Sequence, residues 1–330
     1  MSNLKFIFLL AVFVLFGNLT YAQKGEVYLE EKDDPKNIKA EKILFGGTLL
    51  SYTAQNVPPH HLAFEQFFFL SNTYGHYDKN SNLKHDISFQ QYQVLPYLKF
   101  GIIENLDINI ITSVVYSLHN KNKSVSLGDT LVLFGLQLMK AKEDSWVPDV
   151  RLLVGESFPT GKYDRLNPSM NGGDGVGSGS FETTFLLSLA KVFPINKKHA
   201  LRFNPNLYFI IPSHLSVSNF SIYGGGKGTR GRINPGNKVA FDFPCEYNIT
   251  DHLIFGLDVF YIHKNKAVFS PKTANQIVAG RPSSENLSLA PCLEYNPNGK
   301  FGIEGGVWFS VNGRNSFAFT TGTIVAWWYF

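Results

Sequence analysis

The chain has 330 residues, of which 44% are hydrophobic, 15% are aromatic and only 17% are charged. A soluble globular domain usually carries about 25% charged residues, and intrinsic disorder requires few aromatic residues and a high net charge. A net charge of +4 is too small and too scattered for a nucleic-acid-binding protein, and two cysteines exclude a disulfide-rich scaffold. The composition therefore favours a large, aromatic, glycine-rich β protein.

Residues 1–22 have the pattern of a secretory signal peptide. Lys5 supplies a positive charge, residues 6–17 form an apolar run, and small residues precede a cleavage site ahead of Gln23. The apolar run is shorter than the ~20 residues of a membrane-spanning helix, so an uncleaved anchor is the weaker alternative. We expect the exported chain to be secreted, periplasmic or a transmembrane barrel.

Strand patterns dominate the exported chain, because apolar residues recur at every second position. Most of these segments reach the ~9–11 residues that a tilted strand needs to cross a bilayer. The sequence therefore predicts an all-β fold, a transmembrane antiparallel β-barrel of about 12 strands over residues 61–330. The predicted strands are residues 61–74, 86–100, 104–117, 126–140, 146–158, 178–193, 200–212, 237–248, 252–264, 284–295, 300–312 and 316–330.

The connections between the predicted strands alternate between short and long, as in outer-membrane barrels. An even strand number places both chain ends on the periplasmic side, with the long loops 75–85, 118–125, 159–177, 213–236 and 265–283 outside. Residues 23–60 are expected to form a periplasmic N-terminal segment or a partial plug. The glycine-rich stretches near Asn171 and Gly224 are interpreted as flexible outer loops, and a secreted β-sandwich or jelly roll is the alternative fold.

Charged residues occupy the polar register of the strands, which faces the lumen of a barrel. Nine of them are acidic, and rings of carboxylates favour cations in a pore, so we expect a moderate cation preference. An alternative is that these charges form a structural network that conducts nothing. The pore-lining candidates are Glu65, Asp107, Asp129, Arg151, Glu182, Arg202, Lys238, Asp242, Glu246, Asp258, Glu294 and Glu304. An aromatic girdle is expected at Tyr116, Trp146, Tyr261, Tyr295 and Trp327.

Three motifs carry a resemblance to a known family. Residues 57–62 (VPPHHL) lead into the first predicted strand, residues 127–130 (LGDT) open the fourth, and residues 158–163 (FPTGKY) lead into a glycine-rich stretch that ends before Ser180. Together they resemble the outer-membrane channel family named for the meta-pathway of phenol degradation. The resemblance implies an outer-membrane barrel that passes small organic molecules.

Catalytic and metal sites find little support. His214 and Ser216 have the spacing of outer-membrane phospholipases, but Val217 replaces the expected Asn, so a lipid enzyme is the weaker reading. On a strand, His61 and Glu65 are about 13 Å apart, which is too far to share a metal ion. No catalytic residue, metal or cofactor is predicted. Cys245 and Cys292 fall on non-adjacent strands in opposite registers, which argues against a disulfide.

The sequence thus predicts a passive channel in a bacterial outer membrane, for uptake or efflux of small organic solutes, with aromatic or hydrophobic molecules as the candidate class. The alternative is a non-conducting barrel with a structural or surface-binding role. Expected partners are outer-membrane lipid, lipopolysaccharide contacting Lys227, Arg230 and Arg232, and the barrel-assembly machinery, which would read the C-terminal strand ending at Phe330. No nucleic acid is expected.

Overall fold

The computed structural model describes residues 45–141, 145–271 and 279–330. These residues form a closed barrel of twelve antiparallel wall strands. Wall strand 1 pairs with wall strand 12 from Ala63–Tyr329 to Tyr77–Ser316, which closes the barrel. In chain order the wall strands are Leu62–Tyr77, Phe89–Ile103, Leu106–Ile111 continued by Val114–His119, Asn122–Leu127 continued by Thr130–Met139, Asp149–Phe158, Glu182–Pro194, Ala200–Phe203 continued by Asn206–Pro212, Lys238–Asp242 continued by Cys245–Asn248, Leu253–Lys264, Ser284–Tyr295, Phe301–Arg314 and Ser316–Tyr329.

The outer face of the wall is apolar. Phe68, Val94, Leu98 and Phe255 are each about 40% exposed or more. The polar residues that alternate with them along the same strands point to the interior. Exposed apolar residues of this kind on the outer face are typical of a barrel that is surrounded by lipid. Among the described residues, no helix is long and apolar enough to cross a membrane. The predicted alternation and the predicted strand number are therefore confirmed.

Four wall strands are interrupted, and the interruptions have a local cause. Pro205 and Pro244 have no backbone N–H to donate to a strand ladder, so wall strands 7 and 8 each break beside their proline. Wall strand 4 breaks at Gly128, whose N–H donates to the carbonyl of Ser113 at 2.9 Å. A Cβ on Gly128 would lie 2.2 Å from the Ser113 hydroxyl oxygen, so a larger residue there would require this hydroxyl group to move.

Two predictions for the outer loops were wrong. Residues 118–125 are not a long loop, because the strand pairing continues to His119 and Asn122 and leaves a two-residue turn. Asn120 begins that turn with a φ of 54°, a conformation that asparagine tolerates. The backbone hydrogen bonds of this hairpin form without any alternation of apolar residues. The sequence pattern therefore did not predict this part of the hairpin.

The long loops 213–236 and 265–283 together contain a small three-stranded sheet. Its strands are Leu215–Ser218, Arg230–Asn234 and Val268–Pro271. One face buries a cluster that includes Val217, Tyr223 and Ile233. The Tyr223 hydroxyl donates to the carbonyl of Ser178 at 2.7 Å. The pKa of this phenol is raised, mainly because it is buried and also because the charge of Glu182 is near. The described residues of these loops form a cap with its own sheet and buried cluster, whereas the sequence suggested flexible loops.

Candidate functional site

Residues 45–57, here called the plug segment, precede the first wall strand and lie inside the barrel. Their backbone N–H groups donate to side chains that point inward from the wall. The segment is not paired with a neighbouring strand, and acceptors on several different wall strands satisfy its backbone N–H groups instead. The donor–acceptor pairs are Gly46 to Glu294 at 3.0 Å, Leu50 to Asp258 at 3.3 Å, Ala54 to Asn204 at 3.2 Å, Asn56 to Gln137 at 2.9 Å and Val57 to Asp107 at 2.8 Å.

The carbonyl groups of the plug segment are bound in the same way. Arg151 donates to the carbonyl of Thr53 at 3.0 Å, and Asn204 donates to the carbonyl of Tyr52 at 2.7 Å. Gln137 binds both an N–H and a carbonyl of the segment, because its amide donates to Ala54 at 2.9 Å. Part of the lumen is therefore occupied by a segment whose backbone polar groups bind side chains of the wall.

Ion pairs account for part of the interior charge. Arg151 and Asp107 are both fully buried, and one guanidinium nitrogen lies 2.5 Å and 2.7 Å from the two carboxylate oxygens. Three further pairs join residues of neighbouring strands or of strands two apart. They are Lys99 with Glu65, Arg202 with Glu246, and Lys238 with Glu182.

An acidic surplus remains on wall strands 8 to 11. Asp242, Asp258, Glu294 and Glu304 are at least 95% buried, and none of them forms an ion pair with a basic residue of the described chain. Glu294 and Glu304 are direct partners in the ladder between strands 10 and 11, an arrangement that like charges destabilise. Carboxylate oxygens of Asp242, Glu294 and Glu304 have no hydrogen-bond partner among the described residues. We call these four residues the acidic wall.

A cavity of about 210 Å³ lies between the plug segment and wall strands 1, 2, 11 and 12. Its walls are largely apolar and aromatic, with few charges. Lys99 lies 4.4 Å from the centre of the Tyr97 ring, in a cation–π contact. The wall residues lining the cavity are Glu65, Phe67, Phe69, Leu95, Tyr97, Lys99, Ile111, Glu304, Val325 and Trp327.

The sequence prediction for Trp327 was wrong. It was assigned to the outer girdle, yet it lines the cavity, while Trp328 faces outward and stacks on Phe64 with ring centres 5.7 Å apart. The chain end reads Trp-Trp-Tyr-Phe, which is aromatic in both registers, so alternation could not assign the faces. Trp146 and Tyr295 are 85% and 53% exposed, as a girdle requires.

Eleven of the twelve pore-lining candidates project to the interior side of the wall. Asp129 is the exception, because it lies at the strand break and binds loop residues: it accepts from the N–H of Gly161 at 2.9 Å and of Ser178 at 2.6 Å. The structure brings Asp107 and Arg151 together, and likewise Glu294 and Glu304. The sequence did not indicate that these residues would bind the plug segment. A conducting role and a cation preference stay predictions.

Two of the three motifs of the family resemblance meet at Asp129. Gly161 of the FPTGKY motif packs against Gly177, and a Cβ on Gly161 would lie 2.7 Å from the Gly177 Cα. Lys162 of the same motif donates to buried Asp174 at 2.6 Å. The LGDT motif thus supplies the carboxylate that joins this loop to the glycine-rich stretch.

The structure also locates the residues that were considered for catalysis, for a disulfide and for a metal site. Leu215 is buried in the cap sheet, while its neighbours His214 and Ser216 are exposed. Cys245 and Cys292 are free thiols on wall strands 8 and 10. Within the described ranges, no group of three His, Cys, Asp or Glu side chains has a geometry suited to a metal ion. The predicted signal peptide and residues 23–44 lie outside the described residues.

Comparison with solved structures finds several similar structures at low sequence identity. An outer membrane channel from Pseudomonas putida F1 matches with a TM-score of 0.64 and 11% identity over 91% of this chain and 100% of that chain. A deletion mutant of the TodX monoaromatic hydrocarbon channel matches with a TM-score of 0.43 and 9% identity over 83% of this chain and 91% of that chain. The transport unit of the AIDA-I autotransporter from Escherichia coli matches with a TM-score of 0.41 and 10% identity over 86% of this chain and 94% of that chain.

No protein-family model matches the sequence, and no curated protein matches it. At 11% identity, the likeness to the Pseudomonas channel establishes a shared architecture only. The class that the fold defines is the closed, twelve-stranded antiparallel barrel.

Proposed function

We propose that this chain is a bacterial outer-membrane channel for the passive passage of small organic solutes. The observation that carries the proposal is a barrel with an apolar outer face and a charged lumen, in which hydrogen bonds hold the plug segment against the wall. Hydrogen bonds and ion pairs of this kind exchange with water when the segment moves. The Pseudomonas outer membrane channel with the same architecture supports this function.

Membership of the phenol meta-pathway channel family belongs to the same proposal. Its support is the convergence of the LGDT and FPTGKY motifs and the glycine-rich stretch at one carboxylate, that of Asp129. Insertion by the barrel-assembly machinery is also proposed. The last residue, Phe330, is 67% exposed and exchanges backbone hydrogen bonds with Leu62, so the C-terminal strand ends at the seam that closes the barrel.

Aromatic and hydrophobic solutes are the candidate substrates, because the free volume beside the plug segment is lined by Phe67, Phe69 and Trp327. A non-conducting barrel is the second candidate. The number of bonds between wall and plug segment favours it, since each hydrogen bond contributes about 0.5–1.5 kcal/mol to keeping the segment in place.

Liposome swelling separates the two candidates. Vesicles that contain the refolded protein are placed in an isotonic solution of a small neutral solute such as glycerol or 2-phenylethanol. A channel admits the solute and the vesicles swell faster than protein-free vesicles. Swelling at the protein-free rate for every solute would favour the non-conducting barrel.

A further inference from the structure

The cavity beside the plug segment contains one carboxyl group that has no ion-pair partner among the described residues. Its charged lining residues are Glu65, Lys99 and Glu304, and the first two pair with each other. Glu304 is 5% exposed, and one of its carboxylate oxygens has no hydrogen-bond partner among the described residues. Its nearest polar neighbours are the thiol of Cys292 and the carboxylate of Glu294, which supply no positive charge.

An ionised carboxylate in such surroundings requires a counter-charge. Burial of an unpaired charge costs several kcal/mol, and the other three acidic-wall residues supply no positive charge. A cationic group delivered by a bound molecule would offset this cost. Glu304 therefore favours a positive charge on its side of the cavity.

The same cavity already stabilises one ammonium group. The Lys99 side chain is 9% exposed, pairs with Glu65 and contacts the face of the Tyr97 ring. Carboxylate and aromatic face together are the usual environment for a desolvated ammonium. Glu304 and Trp327 bring the same two chemical groups to this cavity, without a second lysine from the described chain.

Size and shape define the rest of the ligand. An engineered apolar cavity of about 150 Å³ binds benzene, so the 210 Å³ cavity accommodates one aromatic ring with a short side chain. Phe67, Phe69, Leu95 and Val325 provide the apolar contacts for that ring. A ligand with a ring and a terminal amine matches the apolar and the acidic parts of the lining together.

We propose that this lumenal cavity binds a small aromatic amine in its ammonium form, with the ammonium group on Glu304 and the ring among Phe67, Phe69 and Trp327. This site names a solute class for the channel and in that sense rests on the proposed function. Binding itself does not depend on transport, so the two proposals are measured separately.

Three probes of nearly equal shape test the charge requirement: 2-phenylethylamine, 2-phenylethanol and phenylacetate. Each is titrated into the full-length protein in detergent micelles at pH 7.5 by isothermal calorimetry, where the amine is protonated. We expect saturable one-to-one binding of the amine, with the alcohol and the carboxylate at least about tenfold weaker. Equal affinity for amine and alcohol, or no amine binding, would overturn the site.

Two matched variants locate the site. Glu304→Gln keeps the shape and removes the charge, so it should weaken amine binding about tenfold or more and leave the alcohol unchanged. Asp242→Asn removes an equally buried carboxylate that does not line the cavity, and it should change amine affinity less than about twofold. Amine preference that survives Glu304→Gln, or that falls equally in Asp242→Asn, would contradict the assignment.

Folding of each variant is checked by the heat-modifiable gel mobility of barrel proteins. If Glu304→Gln fails to fold, the comparison of amine with alcohol in the unmodified protein still decides the proposal. Conductance in planar bilayers separates the two levels of inference. Conduction without amine binding removes this site and leaves the channel, whereas amine binding without any conductance leaves the site and removes the channel.

Discussion

The Asp107–Arg151 pair is the most deeply buried charge pair in the lumen, and both residues also bind the plug segment. Asp107 accepts from the N–H of Val57, and Arg151 donates to the carbonyl of Thr53. With 0% exposure for both side chains, each charge depends on the other, because removal of one leaves an uncompensated buried charge.

Arg151→Met should therefore lower the free energy of unfolding by about 3 kcal/mol. The double variant Asp107→Asn/Arg151→Met removes both charges and keeps an acceptor for Val57, so it should be more stable than the single variant. Equilibrium unfolding in urea, followed by tryptophan fluorescence in lipid vesicles, measures both. A double variant less stable than Arg151→Met would show that the pair is not the source of the effect.

At the scale of single elements, the loop of residues 159–181 depends on one carboxylate from the wall. Asp129 accepts hydrogen bonds from the backbone N–H groups of Gly161 and Ser178, which lie near the two ends of that loop. A second carboxylate, Asp174, binds Lys162 and the N–H of Asn167 within the loop. Backbone groups are satisfied here by side chains instead of a strand ladder.

Asp129→Ala should release both N–H groups and speed the hydrogen exchange of residues 159–181 by about tenfold, since each lost bond to a buried group costs about 1–3 kcal/mol. Hydrogen exchange with mass spectrometry reads this loop directly. Asp251→Ala, in an exposed turn at the other end of the barrel, is the control. Equal exchange in both variants would contradict the role of Asp129.

At the scale of the whole molecule, the two ends of the barrel differ. Short turns and the C-terminus occupy one end, while the cap sheet, the long loops and the two short turns at residues 120–121 and 315 occupy the other. In an outer-membrane barrel the end without long loops faces the periplasm. We therefore propose that the cap end faces the outside of the cell.

A peptide tag inserted at Lys227 should bind antibody on intact cells, and a tag at Asn298 should bind only after the outer membrane is permeabilised. Lys227 lies in the cap and Asn298 in a short turn between wall strands 10 and 11. A tag at Asn171, in the loop of residues 159–181, is the positive control. Surface labelling at Asn298 would reverse the proposed orientation.

The sequence was sufficient for the wall but not for its contents. A lipid-facing strand must alternate, so the period of two predicted the twelve wall strands within a few residues. The plug segment has no such constraint, because its partners come from strands far apart in the chain, such as Asp107 and Asp258. The sequence pattern did not predict the cap sheet for a related reason, because its short strands are stabilised by a local cluster around Ile233.

The central claim is that the plug segment closes a pore. Single-channel conductance of the unmodified protein, compared with a variant that lacks residues 45–57, tests it most directly. The deletion exposes the interior carboxylates to water, and we predict a conductance at least several-fold higher, with faster liposome swelling. A variant that folds, by its heat-modifiable mobility, and conducts no better than the unmodified protein would contradict the claim.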